Sequence, residues 1–221
     1  MRNLRKRLAK KIIRKLILWV PKNEHYEILN NPPPGGGVDF VGLNIPISEA
    51  KKRVNFSQKF LIDINLNELI QMNHESGLFN RYDIILRSLV AKSILGRKDS
   101  AVTSQDCFLL SNYKKMQITR VNRDTTERFS ELLRSFSENG LDTKKYPVPV
   151  DSLGRILDGA HRVALALNFK KESLVCKVMP FEREIYYGRQ WFKENGFDPF
   201  LLELLDDEYH NISRNVNFKY E

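Results

Sequence analysis

The sequence predicts a single α/β domain of the α+β kind preceded by an amphipathic helix, and three observations carry that prediction. Short runs rich in Val, Ile and Phe are interspersed with stretches whose apolar residues recur at three- and four-residue spacing. No internal repeat or heptad run competes with that reading. The chain has 221 residues, 42% of them hydrophobic and 10% aromatic, enough to bury one core.

The formal charge of +9 is confined to one end. Residues 1–22 hold nine Lys and Arg and no acid, which leaves 27 of the 36 basic residues against 27 acidic ones in the rest. A neutral body argues against a broad nucleic-acid footprint. Cys107 and Cys176 stand far apart with no CxxC, so neither a disulfide framework nor a zinc site is indicated and a reducing, cytoplasmic setting fits.

On a helical wheel Leu4, Leu8, Ile12, Ile13, Leu16, Trp19 and Val20 share one side, and Lys6, Arg7, Lys10, Lys11 and Arg14 the other. This predicts a basic amphipathic helix over 1–22. Residues 2–20 would rest on an anionic membrane surface at the inner face of the cell membrane. Packing on a partner or on the chain itself, and contact with nucleic acid, are the alternatives. Arg14 and Lys15 interrupt Ile12 to Val20, so this stretch is too short to span a bilayer, and no small-residue cleavage motif follows it.

Residues 23–39 read as a linker, because Pro32-Pro33-Pro34-Gly35-Gly36-Gly37 sustains neither helix nor strand and lacks the Lys-Ser/Thr of a P-loop. The domain proper is then 40–221. Phe40 to Ile47 and Phe60 to Leu66 read as strands. Helices are expected from Asn67, over Arg81 to Leu95 with Gly96 as its stop, and from a Thr125 or Thr126 cap to Asn139-Gly140. Arg97 to Gln105 reads as a loop, and Cys107 to Val121 is ambiguous. Glu182 to Asn195 and Phe200 to Tyr209 close the chain as helices.

The informative segment is Tyr146 to Pro180. Tyr146-Pro147-Val148-Pro149-Val150 is strand-like, Asp151-Ser152-Leu153-Gly154 turns, Arg155-Ile156-Leu157 returns, Asp158-Gly159-Ala160 turns again, His161 to Phe169 is helical and Leu174 to Met179 is a strand. A turn entering a helix offers unpaired N–H groups at the positive end of the helix dipole, which is an anion site in itself. Gly159 lets the backbone approach a ligand, and His161 and Arg162 add donors in the first turn. Asp158 is suited to hold Mg²⁺ on phosphates or to position His161. A purely structural turn, with Asp158 as cap, is the alternative.

Pro147 to Asp151, Gly154 to Ala164 and the strand that follows resemble the core of the ParB/sulfiredoxin superfamily, over about 35 residues. That resemblance implies a small mixed sheet, with the turn binding nucleotide phosphates through Gly159, Ala160, His161 and Arg162. Ala160 stands where sulfiredoxin chemistry needs a cysteine, which removes thiol chemistry. An arginine-rich turn and a helix-turn-helix, as in the partition proteins, are missing from the pattern, so nucleic acid is not the expected partner.

The Asp-Gly-x-His-Arg form is most similar to the free-serine-kinase branch, which implies ATP or another nucleotide, Mg²⁺, and a glutamate base toward a hydroxyl. Glu75, in Asn73-His74-Glu75-Ser76-Gly77 after the first strand and its short helix, has that placement; Asp158 and His161 would complete the catalytic set. Leu95 to Thr125 reads as an insertion relative to that branch. Within it Gln117, Arg120 and Arg123 are candidate substrate or phosphate ligands. The expected function is a nucleotide-dependent phosphotransferase acting on a small-molecule, sugar or glycolipid hydroxyl, by a weaker resemblance in surface-polysaccharide synthesis. The alternatives are a non-catalytic nucleotide-gated module and a ParB-like nucleic-acid-binding protein or nuclease.

Overall fold

The computed structural model describes residues 38–39, 41, 45–53, 59–75, 78–79, 81–96, 102–140, 142, 144–183 and 185–215. The chain divides after Gly37 into two units, and the described residues all belong to the second. The amphipathic helix expected over 1–22 and the expected 23–39 linker up to Gly37 lie outside them, whereas Val38–Asp39, the end of that expected linker, is strand and belongs to the second unit. Among the described residues no helix is long and apolar enough to cross a membrane.

The order of elements is β1 (Val38–Asp39), α1 (Ile47–Arg53), β2 (Phe60–Asn65), α2 (Leu66–Gln71), β3 (His74–Glu75), β4 (Leu78–Phe79), α3 (Tyr82–Leu95), α4 (Ser104–Val121), α5 (Thr126–Asn139), β5 (Val148–Val150), α6 (Ala160–Asn168), β6 (Ser173–Val178), α7 (Arg189–Glu194) and α8 (Pro199–Asn215). The result is a mixed α/β domain of the α+β kind. Its main sheet runs β1-β2-β6-β5, and β3 and β4 form a separate antiparallel pair.

Within the sheet β1 is parallel to β2, β2 antiparallel to β6, and β5 parallel to β6. Each parallel pair encloses a helix, α1 between β1 and β2 and α6 between β5 and β6, as parallel pairing requires a crossover. The two strand-helix-strand segments meet at the central β2–β6 pair, where Ile62 faces Cys176 and Ile64 faces Leu174. Pro149 has no N–H to give, and it sits in the edge strand, where that loss is tolerated.

The core gathers around α3, which packs against α4, α6 and α8. From Tyr82 to Ala91 every α3 residue is buried except the half-buried Leu89. The sequence shows only one apolar stripe there, Ile84, Ile85, Leu89 and Val90. Tyr82 Oη donates to Asp206 (2.5 Å) and Lys92 Nζ to Glu208 (2.5 Å), tying α8 to α3.

Several boundaries differ from the sequence expectation. Of the strand expected over Phe40 to Ile47, the described residues Val41, Ile45 and Pro46 are not in strand; Val38–Asp39 is the strand, and Ile47 opens α1, the carbonyl of Pro46 accepting from Glu49 and Ala50 N–H. The ambiguous Cys107 to Val121 stretch is helix, begun by a capping box in which Thr103 and Asp106 bond each other's backbone N–H. Thr125 is the N-cap residue of α5, as expected, but its side chain makes no capping bond, and Asp124 instead accepts from Thr126 N–H (3.0 Å). The helix expected from Glu182 is only α7, since Arg183 N–H is drawn to Asp151 (3.0 Å) and the Phe181 carbonyl to Ser152 N–H (2.9 Å).

Candidate functional site

One buried carboxylate shapes the approach to the site. Asp151 Oδ1 accepts from Leu153 N–H (2.9 Å) and Arg155 N–H (2.9 Å), and Oδ2 accepts from Arg155 Nε (2.6 Å) and Arg183 N–H (3.0 Å). The chain therefore reverses after β5 and returns as Ile156, which bridges back to Val150. Asn73 fixes the far side of this turn. Its Oδ1 accepts from Ile156 N–H (3.0 Å) and its Nδ2 donates to Leu69 O (2.7 Å). The two residues that follow Asn73 are β3, and so the backbone of Glu75 is held close to the turn.

The second turn enters α6 through Gly159, whose φ of +81° is the left-handed region that favours glycine. A Cβ added there would also meet the Arg162 guanidinium at 3.1–3.2 Å. As at any helix start, the first N–H groups of α6 have no partner within the helix, and Gly159 at the N-cap has no side chain to cap them. Ala160 itself points its methyl into the core, and Asp158 is exposed.

The side chains of the motif are more committed than the sequence implies. Arg162 Nη1 donates to the carbonyls of Tyr146 and Pro147, both at 2.6 Å, lashing α6 to the approach of β5. One nitrogen of the guanidinium is thus committed to the chain, while its Nη2 and Nε edge lies over Gly159 in the turn. His161 Nε2 lies 2.7 Å from Tyr113 Oη, and its ring packs on Phe129 with centroids 4.7 Å apart. Burial, with Arg87 and Arg120 beside it, pushes the imidazole well below its ordinary value. His161 is thus a neutral donor or acceptor at neutral pH, not a cationic phosphate ligand.

Behind His161 lies a charged cluster that the sequence reading misses. Asp83 is fully buried in α3 and receives Arg81 Nε (2.8 Å) and Nη2 (3.1 Å), Arg87 Nη1 (2.9 Å) and Arg120 Nη1 (3.3 Å). Burial opposes its ionisation, but the three guanidiniums outweigh that and hold its carboxyl well below the usual range. Arg81 also donates to the carbonyl of Ile156, joining the cluster to the motif turn. Arg87 stands 5.9 Å from the Tyr113 ring centroid, and burial lowers its pKa to about 10. Among the described residues this makes three guanidiniums for one shared carboxylate.

Of the three predicted donors in α4 and beyond, Arg120 enters this cluster, Gln117 is buried three residues before it on α4, and Arg123 follows the left-handed Asn122 that ends α4 and is exposed. The side chain of Glu75 lies outside the described residues. Arg81, Asp83 and Arg87 were legible in principle, as charges spaced through an otherwise apolar helix. Among the described residues no group of three or more His, Cys, Asp or Glu gathers to hold a metal ion, so Mg²⁺ at Asp158 would draw its other ligands from water and phosphate, as this ion commonly does.

No family model, curated protein or solved structure matches the chain.

Proposed function

We propose that the protein is a nucleotide-dependent phosphotransferase acting on the hydroxyl of a small molecule or sugar. The observation that carries this reading is the hydrogen bond from Ile156 N–H to Asn73 Oδ1 (3.0 Å), which fastens the segment leading into Glu75 to the turn leading into α6. It supports a site in which a base and a phosphate cradle share one neighbourhood.

In this reading the α6 backbone N–H groups at Ala160 and His161 bind phosphate oxygens, and the exposed Asp158 faces the same ligand. Bound Mg²⁺ supplies neutralisation of the phosphate charge. Neutral His161, steered by Tyr113, is a hydrogen-bonding group and not a proton donor. Glu75 takes the proton of the acceptor hydroxyl as its oxygen bonds to the terminal phosphorus and the bond to the nucleotide's bridging oxygen breaks. Arg162 acts through the backbone it fastens.

A thermal-shift screen of nucleotides with Mg²⁺, followed by product detection, tests this. Nucleotide should raise the melting temperature of wild type and of Glu75→Gln alike, while Glu75→Gln loses about 100-fold or more in turnover. Absence of nucleotide binding, or normal turnover by Glu75→Gln, would refute it.

The commitment of both His161 and Arg162 to intramolecular partners favours a second reading, a non-catalytic module gated by nucleotide. Binding without product from any acceptor would select it. For the basic arm, residues 1–22, the charge asymmetry supports attachment to anionic lipid beside a glycolipid acceptor. Flotation with anionic vesicles, compared between the full chain and one lacking 1–22, tests that.

A further inference from the structure

We infer that Arg87, Gln117 and Arg120 form an interior anion site, distinct from the turn that opens α6, which takes a doubly charged oxyanion group such as a phosphate monoester. The inference does not depend on the phosphotransferase reading, because none of these residues belongs to that turn.

Charge is the first ground. Arg81 and Arg87 are each 2% exposed and Arg120 is nearly as enclosed, yet Asp83 is the one carboxylate they share among the described residues. Among the described residues two positive charges are left over, in a setting where an unpaired charge is costly. A cluster built only for stability would match its charges or use apolar side chains of similar volume.

Unused donors are the second ground. Arg87 Nε, Gln117 Nε2 and Arg120 Nε are buried without a hydrogen-bond partner. Gln117 is 3% exposed, and an amide so placed is costly unless something accepts from it. Gln117 and Arg120 are three apart on α4 and so share a face. Arg120 meets Arg87 of α3 at Asp83, which both of them bond. Water would satisfy the donors but leave the charge standing, whereas an oxyanion answers both needs. Guanidinium edges and an amide N–H suit the several oxygens of a tetrahedral group.

Access also fits. Arg120 is the least buried of the three arginines, and its guanidinium is covered by the half-buried Tyr187 ring at 3.9 Å, in the irregular segment before α7. Arg120 is thus the member of the cluster nearest to solvent.

The test uses the full chain and inorganic phosphate, with sulfate and acetate at matched ionic strength. In ¹H–¹⁵N spectra the side-chain amide signals of Gln117, assigned by their loss in Gln117→Leu, should move saturably with phosphate and with sulfate but not with acetate. Calorimetry should show phosphate affinity reduced about tenfold or more in Gln117→Leu. With no phosphate present, Gln117→Leu should melt no lower than wild type, since it removes an unpartnered amide. Phosphate binding that leaves the Gln117 signals still, equal affinity in Gln117→Leu, acetate binding as tight as phosphate, or no phosphate binding by wild type would each overturn the proposal. Nucleotide binding that survives in Gln117→Leu while phosphate binding falls would separate this site from the α6 turn.

Discussion

Tyr113 Oη lies 2.7 Å from His161 Nε2 and 2.9 Å from Thr125 Oγ1, so one hydroxyl joins α4, the start of α5 and the first turn of α6. Through it the ring of His161 is oriented from a helix that the sequence leaves ambiguous.

The depressed basicity of His161 makes stability depend on pH. An unfolded histidine takes up a proton near pH 6.5, while the folded one resists it, so its neutral form favours folding above about 6.5. That contribution is lost as pH falls from there toward the lower folded value. Urea unfolding at pH 7.5 and 5.5 should show wild type losing more stability than His161→Gln; equal losses would contradict the assignment.

Asp83→Asn removes the carboxylate that three buried arginines share. A loss of about 3–5 kcal/mol is expected, read from the urea midpoint with its slope. The carboxylate's stabilisation is present above the unfolded value near 3.9 and fades below it. A loss under about 1 kcal/mol would mean that the arginines find other partners.

Gly159→Ala combines a left-handed φ of +81° with a Cβ within 3.1 Å of Arg162. The variant should lose about 1–3 kcal/mol in thermal unfolding. Arg162→Lys should relieve the contact but forfeit the fork to Tyr146 and Pro147. If Gly159→Ala melts like wild type, the turn is less constrained than its dihedral implies.

Asp151→Asn keeps the shape of a side chain that accepts four hydrogen bonds while removing its charge and one acceptor. We expect about 2–3 kcal/mol of destabilisation, with increased protease cleavage near Arg155 as the local sign that the turn has loosened. An unchanged cleavage pattern would argue that Arg155 alone keeps the turn closed.

The strand, turn and helix between Val148 and Val178 are legible in the sequence because their signals are local: β-branched alternation, the Asp158-Gly159 turn and a three-four apolar rhythm in Val163, Ala164 and Leu167. The ionic cluster is only partly so, because its members meet only when α3 and α4 pack; in the sequence Arg120 is a candidate ligand and nothing ties it to Arg87 or Asp83. The intramolecular bonds of Arg162 are hidden for a related reason. A guanidinium in a first helical turn suits an anion, and nothing local says that the carbonyls of Tyr146 and Pro147 come within its reach. Gln117 and Arg120 are found by composition, but what makes them notable is enclosure, which composition does not report.

With α4, α6 and α8 packed around it, α3 has no face from which it can unzip alone. Its amide protons should exchange with solvent only when the whole domain opens, at a rate that reports global stability. The amide of Ile156, held by a single side chain from Asn73, can exchange through a much smaller opening. The domain thus carries a slow clock in its centre and a faster one beside the candidate site, and a ligand that slows only the second would reveal where it binds.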